Sequence, residues 1–140
     1  AMEVFEENLK PVSTMSDDIC DWLVGDLGDS VQPTEREFLG THPHAVKPDL
    51  LIGGPPCQGF SMAGRGNPDD PRNGLFKEYL RVAGKIMPKS IIFENVPGFA
   101  NRYGLMLRQR LHSYLGRKGY VVCSGVLTAS DYGVPQLRKR

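Results

Sequence analysis

At 140 residues, with 40% hydrophobic side chains, a net charge of +1 and a mean hydropathy of -0.31, the chain has room for one domain at most, or for part of a larger one. No apolar run approaches the roughly 18 residues that a membrane span needs, and no charged-then-apolar leader opens the sequence. Cys20, Cys57 and Cys123 show no CxxC spacing, which argues against a disulfide framework or a zinc site and points to a reducing, cytoplasmic setting.

The charge is unevenly spread. Residues 1–49 carry 3 basic and 11 acidic side chains, whereas residues 101–140 carry 8 basic and 1 acidic. Such asymmetry is either a matter of scattered solvated faces or the mark of a C-terminal third that faces a polyanion.

In chain order, Glu3–Asn8 reads as a helix end closed by Pro11, and Asp17–Gly25 as a turn followed by a short helix. Gln32–Pro48, with Pro33, Pro43 and Pro48, reads as a loop-rich connection. His42 and His44 in that stretch lack a third partner, so no metal site is expected. Asp49–Ile52 is a short apolar run stopped by Gly53-Gly54-Pro55-Pro56, the profile of a buried strand. Gly74–Pro88 carries Leu75, Tyr79, Val82 and Ile86 on one helical stripe, with Phe76, Leu80, Ala83 and Met87 beside it. Ser90–Phe93 predicts a second buried strand, Leu107 to Leu115 a helix ended by Gly119, and Tyr120–Ala129 a third strand. Strand, helix, strand, helix, strand is the order of a parallel α/β sheet, in which ligands bind beyond the carboxyl ends of the strands.

Three groups sit at such ends. Gly53-Gly54-Pro55-Pro56-Cys57-Gln58-Gly59-Phe60-Ser61 places a cysteine on a proline-stiffened loop. There Cys57 serves as a nucleophile, if a nearby positive charge favours its thiolate, or as a small buried hydrophobe. Glu94-Asn95-Val96-Pro97 offers a carboxylate that either binds the edge of a base or caps the next helix. Gln136-Leu137-Arg138-Lys139-Arg140 supplies arginines that support an active-site loop, bind a carbonyl oxygen or phosphates, or fray into solvent.

In this order and at these separations, the three groups together resemble the cytosine-5 DNA methyltransferase family. Asp70-Pro-Arg-Asn-Gly-Leu-Phe76 and Ala129-Ser-Asp-Tyr-Gly-Val-Pro135 are similar to further stretches of that family, as are Glu3–Asn8 and Asp18-Ile19 upstream. The resemblance implies a partial Rossmann-like S-adenosylmethionine-dependent methyltransferase fold with a mostly parallel, incomplete sheet. Residues 1–140 would be one partial catalytic domain. It implies that Cys57 attacks C6 of a cytosine flipped out of double-stranded DNA and that Glu94 binds the N3/N4 edge. Arg140 would hold the cytosine O2 and Arg138 would steady the cysteine loop. Asp18, Pro56 and Leu75 match positions that contact S-adenosyl-L-methionine, and Gln58 and Ser61, with the two arginines, match DNA contacts. The Gln-Gly-Phe-Ser loop favours DNA over the tRNA-directed relatives. A restriction-modification context follows from the same resemblance. The remaining alternative is a non-catalytic or complementing subunit of a split methyltransferase.

The departures carry expectations of their own. The family's Gly-rich first motif and the acidic residue of its second lie outside the sequence, and Gly64-Arg-Gly66 leads into Asn-Pro instead of a helix start. The target-recognition region is likewise outside, and Leu137 stands where many relatives carry a charge. These 140 residues alone are therefore expected to bind the cofactor weakly and to be inactive. In the family's strand order, 3-2-1-4-5-7-6, strands 1, 2 and 7 fall outside them, which leaves apolar strand edges open. The chain is thus expected to be ordered only with the rest of its polypeptide, a complementary subunit or a swapped copy. Light scattering and hydrogen exchange on the purified chain check this. A protected, cooperatively melting monomer would count against it.

Overall fold

The computed structural model describes residues 2–56, 74–100 and 104–140. Helix α1 (Met2–Leu9) ends just ahead of Pro11 and buries none of its side chains. Helix α2 (Ile19–Trp22) begins at Asp18, whose carboxylate accepts the Cys20 N–H at 2.9 Å, a side-chain cap on an otherwise unpaired donor.

Gln32–Pro48 is not the loop-rich connection that its prolines suggested. It folds into helix α3 (Pro33–Thr41) and a single tight turn at Pro43–Ala45. The reason is local. Pro33 stands in the first turn, where a missing N–H costs nothing, and the Glu35 carboxylate accepts the Gln32 N–H at 2.8 Å to close a capping box.

Strand β1 (Leu50–Gly53) leads through helix α4 (Gly74–Ile86) to strand β2 (Ser90–Phe93). The two strands pair in parallel, with Leu50 opposite Ser90 and Gly53 opposite Phe93. Helix α5 (Leu105–Arg117) follows, and the left-handed Gly119, at φ 91°, lies just beyond its end. Phe76, Leu80 and Ala83 of α4 meet Leu111, Tyr114 and Leu115 of α5 in one core, on which Leu51, Ile91 and Phe93 also pack. Phe93 lies at the centre of an aromatic group with Phe76, Tyr79 and Phe99. The other face of the sheet is open, so that Leu50, Ile52 and Ile92 are exposed.

The acidic N-terminal third is fastened to α4 through one buried cation. The Arg81 side chain is 1% exposed and forms an ion pair with Glu35, also 1% exposed. Its Nη2 donates to Glu35 Oε2 at 2.7 Å and to the Ser30 carbonyl at 3.1 Å, and its Nη1 donates to the Asp26 carbonyl. Burial acts to raise Glu35, but hydrogen bonds from Arg81 and the Gln32 backbone outweigh it and hold the carboxyl below the usual range.

Tyr120–Ala129 was expected as a third strand, and the structure differs. Among the described residues, 120–126 join no ladder, and Thr128 alone of this segment forms a bridge, antiparallel to Lys139. The segment nevertheless runs in the direction of β2. The Tyr120 hydroxyl donates to the Pro88 carbonyl ahead of β2, while Leu127 pairs with Arg140, which in turn reaches Glu94 just past the end of β2. An open cleft of about 750 Å³ is lined by both β2 and residues 120–127. A ladder needs its partner about 4.8 Å away, so a segment across such a gap stays unpaired.

Two predictions follow for the folded polypeptide that carries these residues. Arg81→Ala strands the Glu35 carboxylate in the interior and is expected to cost about 3–5 kcal/mol, whereas replacing both partners by Leu or Met recovers most of that loss. Denaturant titration of the single and double variants measures both. Glu78 is 8% exposed, its Oε2 has no hydrogen-bond partner among the described residues, and burial raises its carboxyl despite the Lys77 ammonium at 3.7 Å. A carboxyl raised in the folded state penalises folding once it must ionise. Glu78→Gln is therefore expected to stabilise at neutral pH, with the gain fading below about pH 4, where the unfolded carboxyl is also protonated. Melting curves taken across that range test the sign.

Candidate active site

The parallel register brings the ends of β1 and β2 to one edge. Beyond the paired strands the contact continues: the Glu94 N–H donates to the Gly53 carbonyl at 3.0 Å, and Asn95 Nδ2 donates to the Pro55 carbonyl at 3.1 Å. Asn95 Oδ1 accepts the Val96 N–H at 2.9 Å. The Tyr79 ring lies against Gly53 so closely that a Cβ there would overlap it, and its hydroxyl donates to the Ile92 carbonyl at 3.1 Å. Burial pushes the Tyr79 phenol up to about 12, which keeps it a neutral donor at physiological pH. A Cβ on Gly54 would stand 3.1 Å from Glu94 Oε2, so a bare backbone is what fits beside that carboxylate.

Glu94 itself is half exposed and meets Arg140, whose Nε lies 2.5 Å from Glu94 Oε1. A short antiparallel return carries the arginine there. Leu127 and Arg140 exchange both backbone hydrogen bonds, at 2.8 and 2.9 Å, and the Ala129 N–H donates to the Arg138 carbonyl at 2.8 Å. The turn at Ala129–Tyr132 ends at Gly133, whose φ of 81° suits glycine. Arg138 is exposed, one position before Lys139 on the same return. Arg140, Glu94 and Asn95 share the cleft with His112, whose buried Nε2 has no hydrogen-bond partner among the described residues.

The other sequence-predicted positions are spread over neighbouring elements. Asp18 caps α2, which packs on α4, and Leu75 is half-buried in the first turn of α4. Pro56 is half-buried, the last described residue before Cys57. Cys57, Gln58 and Ser61 lie outside the described residues. Among the described residues no group of His, Cys, Asp and Glu is arranged to hold a metal ion.

Three contributors to this edge had no role assigned from sequence. Asn95 stands inside the Glu-Asn-Val motif, where an amide next to a strand-end carboxylate was the available signal. Tyr79 was read as one member of an apolar stripe, and periodicity cannot say where a hydroxyl points. Gly54 was read as part of a strand stop; its closeness to Glu94 depends on a residue 40 positions away.

A side-by-side carboxylate and guanidinium, half open to solvent, offers an acceptor and a fork of donors to a planar polar ligand. Residues 26–140 match the family of C-5 cytosine-specific DNA methylases. The chain is 48% identical over 102 residues to the type II methyltransferase M1.HphI of Haemophilus parahaemolyticus, covering 71% of this chain and 27% of that protein. It is 35% identical to the type II methyltransferase M.DdeI of Desulfomicrobium norvegicum, over 100% of this chain and 31% of that protein. The structure is similar to a crystal structure of a prophage-encoded DNA modification methyltransferase from E. coli, with a TM-score of 0.58 and 32% identity over 74% of this chain and 28% of that one. The chain thus spans about a third or less of the length of these relatives.

Proposed function

The chain belongs to the C-5 cytosine-specific DNA methylase family, and on that premise we propose that it is the catalytic-loop part of a DNA (cytosine-5) methyltransferase, acting on a cytosine flipped out of double-stranded DNA. The observation that supports this best is the strand edge where the loop leading to Cys57 is hydrogen-bonded to Glu94-Asn95, while Arg140 meets the Glu94 carboxylate at 2.5 Å. An aromatic ring such as cytosine resists substitution at C5 until a nucleophile adds at C6. Cys57 supplies that nucleophile: the Sγ–C6 bond forms, and the electrons of the C5–C6 double bond move toward C5 as the ring gains a proton or hydrogen bond at N3. Glu94 serves N3 and the amino group, and Arg140 faces the O2 carbonyl, where negative charge grows. Once C5 has gained a methyl group, loss of the C5 proton to a base restores the C5–C6 double bond and expels the Cys57 thiolate.

S-adenosylmethionine, when bound, supplies the methyl group for C5. Asp18 would offer its adenine a carboxylate to accept from the amino group, and the half-buried Pro56 and Leu75 would offer apolar side chains to its ring faces. The Arg138 side chain steadies the cysteine loop, and Gln58 and Ser61 meet the DNA. The remainder of the polypeptide, or a complementary subunit, completes the sheet; the open cleft beside β2 and the unpaired residues 120–126 support that reading.

The test uses a complete polypeptide that carries these residues. A duplex containing 5-fluorocytosine has no C5 proton to lose, so it is expected to trap a denaturant-resistant adduct with the native protein and none with Cys57→Ala. Glu94→Gln is expected to slow methyl transfer by roughly 10²–10⁴-fold. An adduct that survives in Cys57→Ala would overturn the assignment.

A further inference from the structure

Among the described residues, two hydrogen bonds of different kinds hold the loop after β1 to the residues after β2. The one from the Glu94 N–H to the Gly53 carbonyl, 3.0 Å, extends the strand ladder and is indifferent to side chain. The one from Asn95 Nδ2 to the Pro55 carbonyl, 3.1 Å, depends on a single amide. Pro55 and Pro56 have no N–H, so this part of the loop can be gripped from outside only through its carbonyls. Asn95 is oriented for the task because its Oδ1 accepts the Val96 N–H at 2.9 Å, which turns the amide nitrogen toward Pro55. Glu94 Oε2 meanwhile stands 3.1 Å from where a Gly54 Cβ would be, so the same stretch of loop bears on the carboxylate.

We infer that Asn95 is a positioning residue that sets the separation between the thiol of Cys57 and the carboxylate of Glu94. It acts by holding the Pro55 carbonyl, two residues ahead of the cysteine, against the strand end that carries Glu94. The inference rests on the methyltransferase reading above. It gives the second member of the Glu-Asn-Val motif a task separate from base recognition: Glu94 faces the substrate and Asn95 faces the loop. An alanine at position 95 removes both the grip on Pro55 and the acceptor for Val96, and leaves Glu94 and Cys57 chemically intact.

The experiment compares the native complete methyltransferase with its Asn95→Ala and Gly54→Ala variants. It measures kcat and KM for duplex, the rate of adduct formation with 5-fluorocytosine duplex, melting temperature, and amide exchange at residues 54–60. For Asn95→Ala the expected result is a loss of about 100-fold in kcat, the scale of a displacement near 1 Å in a reacting geometry. KM is expected to change little, melting to move by no more than about 4 °C, and exchange in the loop to quicken. Gly54→Ala pushes on Glu94 from the loop side and is expected to lower kcat in the same way, without quickened exchange. Native adduct formation together with an Asn95→Ala variant that traps and methylates as fast would overturn the role of Asn95 and leave the methyltransferase reading standing. A large fall in melting temperature with no selective loss in kcat would reduce Asn95 to a structural residue and also overturn it. A native protein that forms no adduct would remove the methyltransferase reading itself, and the inference with it.

Discussion

The parallel ladder between β1 and β2 is only four residue pairs long, and the geometry of the site depends on its register. Gly53 opposite Phe93 is what lets the Glu94 N–H reach the Gly53 carbonyl and Asn95 reach Pro55. Side chains along a strand alternate between its two faces, so a slip of one residue would turn Phe93 away from the core and swing Glu94 to the other side. The aromatic contacts of Phe93 with Phe76, Tyr79 and Phe99 oppose such a slip. So does Tyr79, which spans the ladder with its ring on Gly53 and its hydroxyl on the Ile92 carbonyl. Core packing and site geometry are one constraint seen from two ends.

A second constraint is electrostatic and sits on the far side of α4. The acidic N-terminal third meets the helix through Arg81, which satisfies Glu35 and two backbone carbonyls at once. A buried ion pair adds little net stability over an apolar pair of the same shape, because desolvation opposes the attraction. Its strength lies in selectivity: a misplaced 26–35 segment would leave a guanidinium and a carboxylate unpaired in the interior. The surface pair between Lys77 and Asp26, at 2.7 Å, is more exposed and contributes far less.

The sequence was legible where periodicity and punctuation agreed. Both strands, α4 and α5 follow apolar runs bounded by glycine or proline, and the structure places them within a few residues of those bounds. Pro33 misled because proline marks a helix start as readily as a loop, and the deciding signal was Glu35 three residues past Gln32. Tyr120–Ala129 has the composition of a strand, but ladder formation is a property of two segments and composition describes one. Of the site, the carboxylate and the arginines stood out because charged groups at strand ends are chemically conspicuous. The supporting contacts of Asn95, Gly54 and Tyr79 were not readable, since each joins residues that only the fold makes neighbours.

The contact between Glu94 and Arg140 shows how a site of this kind can be both ordered and available. Each group is partly open to solvent, at 50% and 34%, and pairs of that exposure contribute on the order of 1 kcal/mol or less. The pair therefore orients both side chains toward one point without closing that point to a ligand. On the proposed reading, cytosine presents a protonatable nitrogen and an amino group to the carboxylate and a carbonyl oxygen to the guanidinium. It replaces one weak contact with several hydrogen bonds to charged partners, which are stronger. Arg140 keeps its backbone hydrogen bonds to Leu127 throughout, so only side chains need to move. The backbone that carries the carboxylate stays fixed by Gly53 and the backbone that carries the guanidinium by Leu127, and the exchange of partners costs little more than the turning of two side chains.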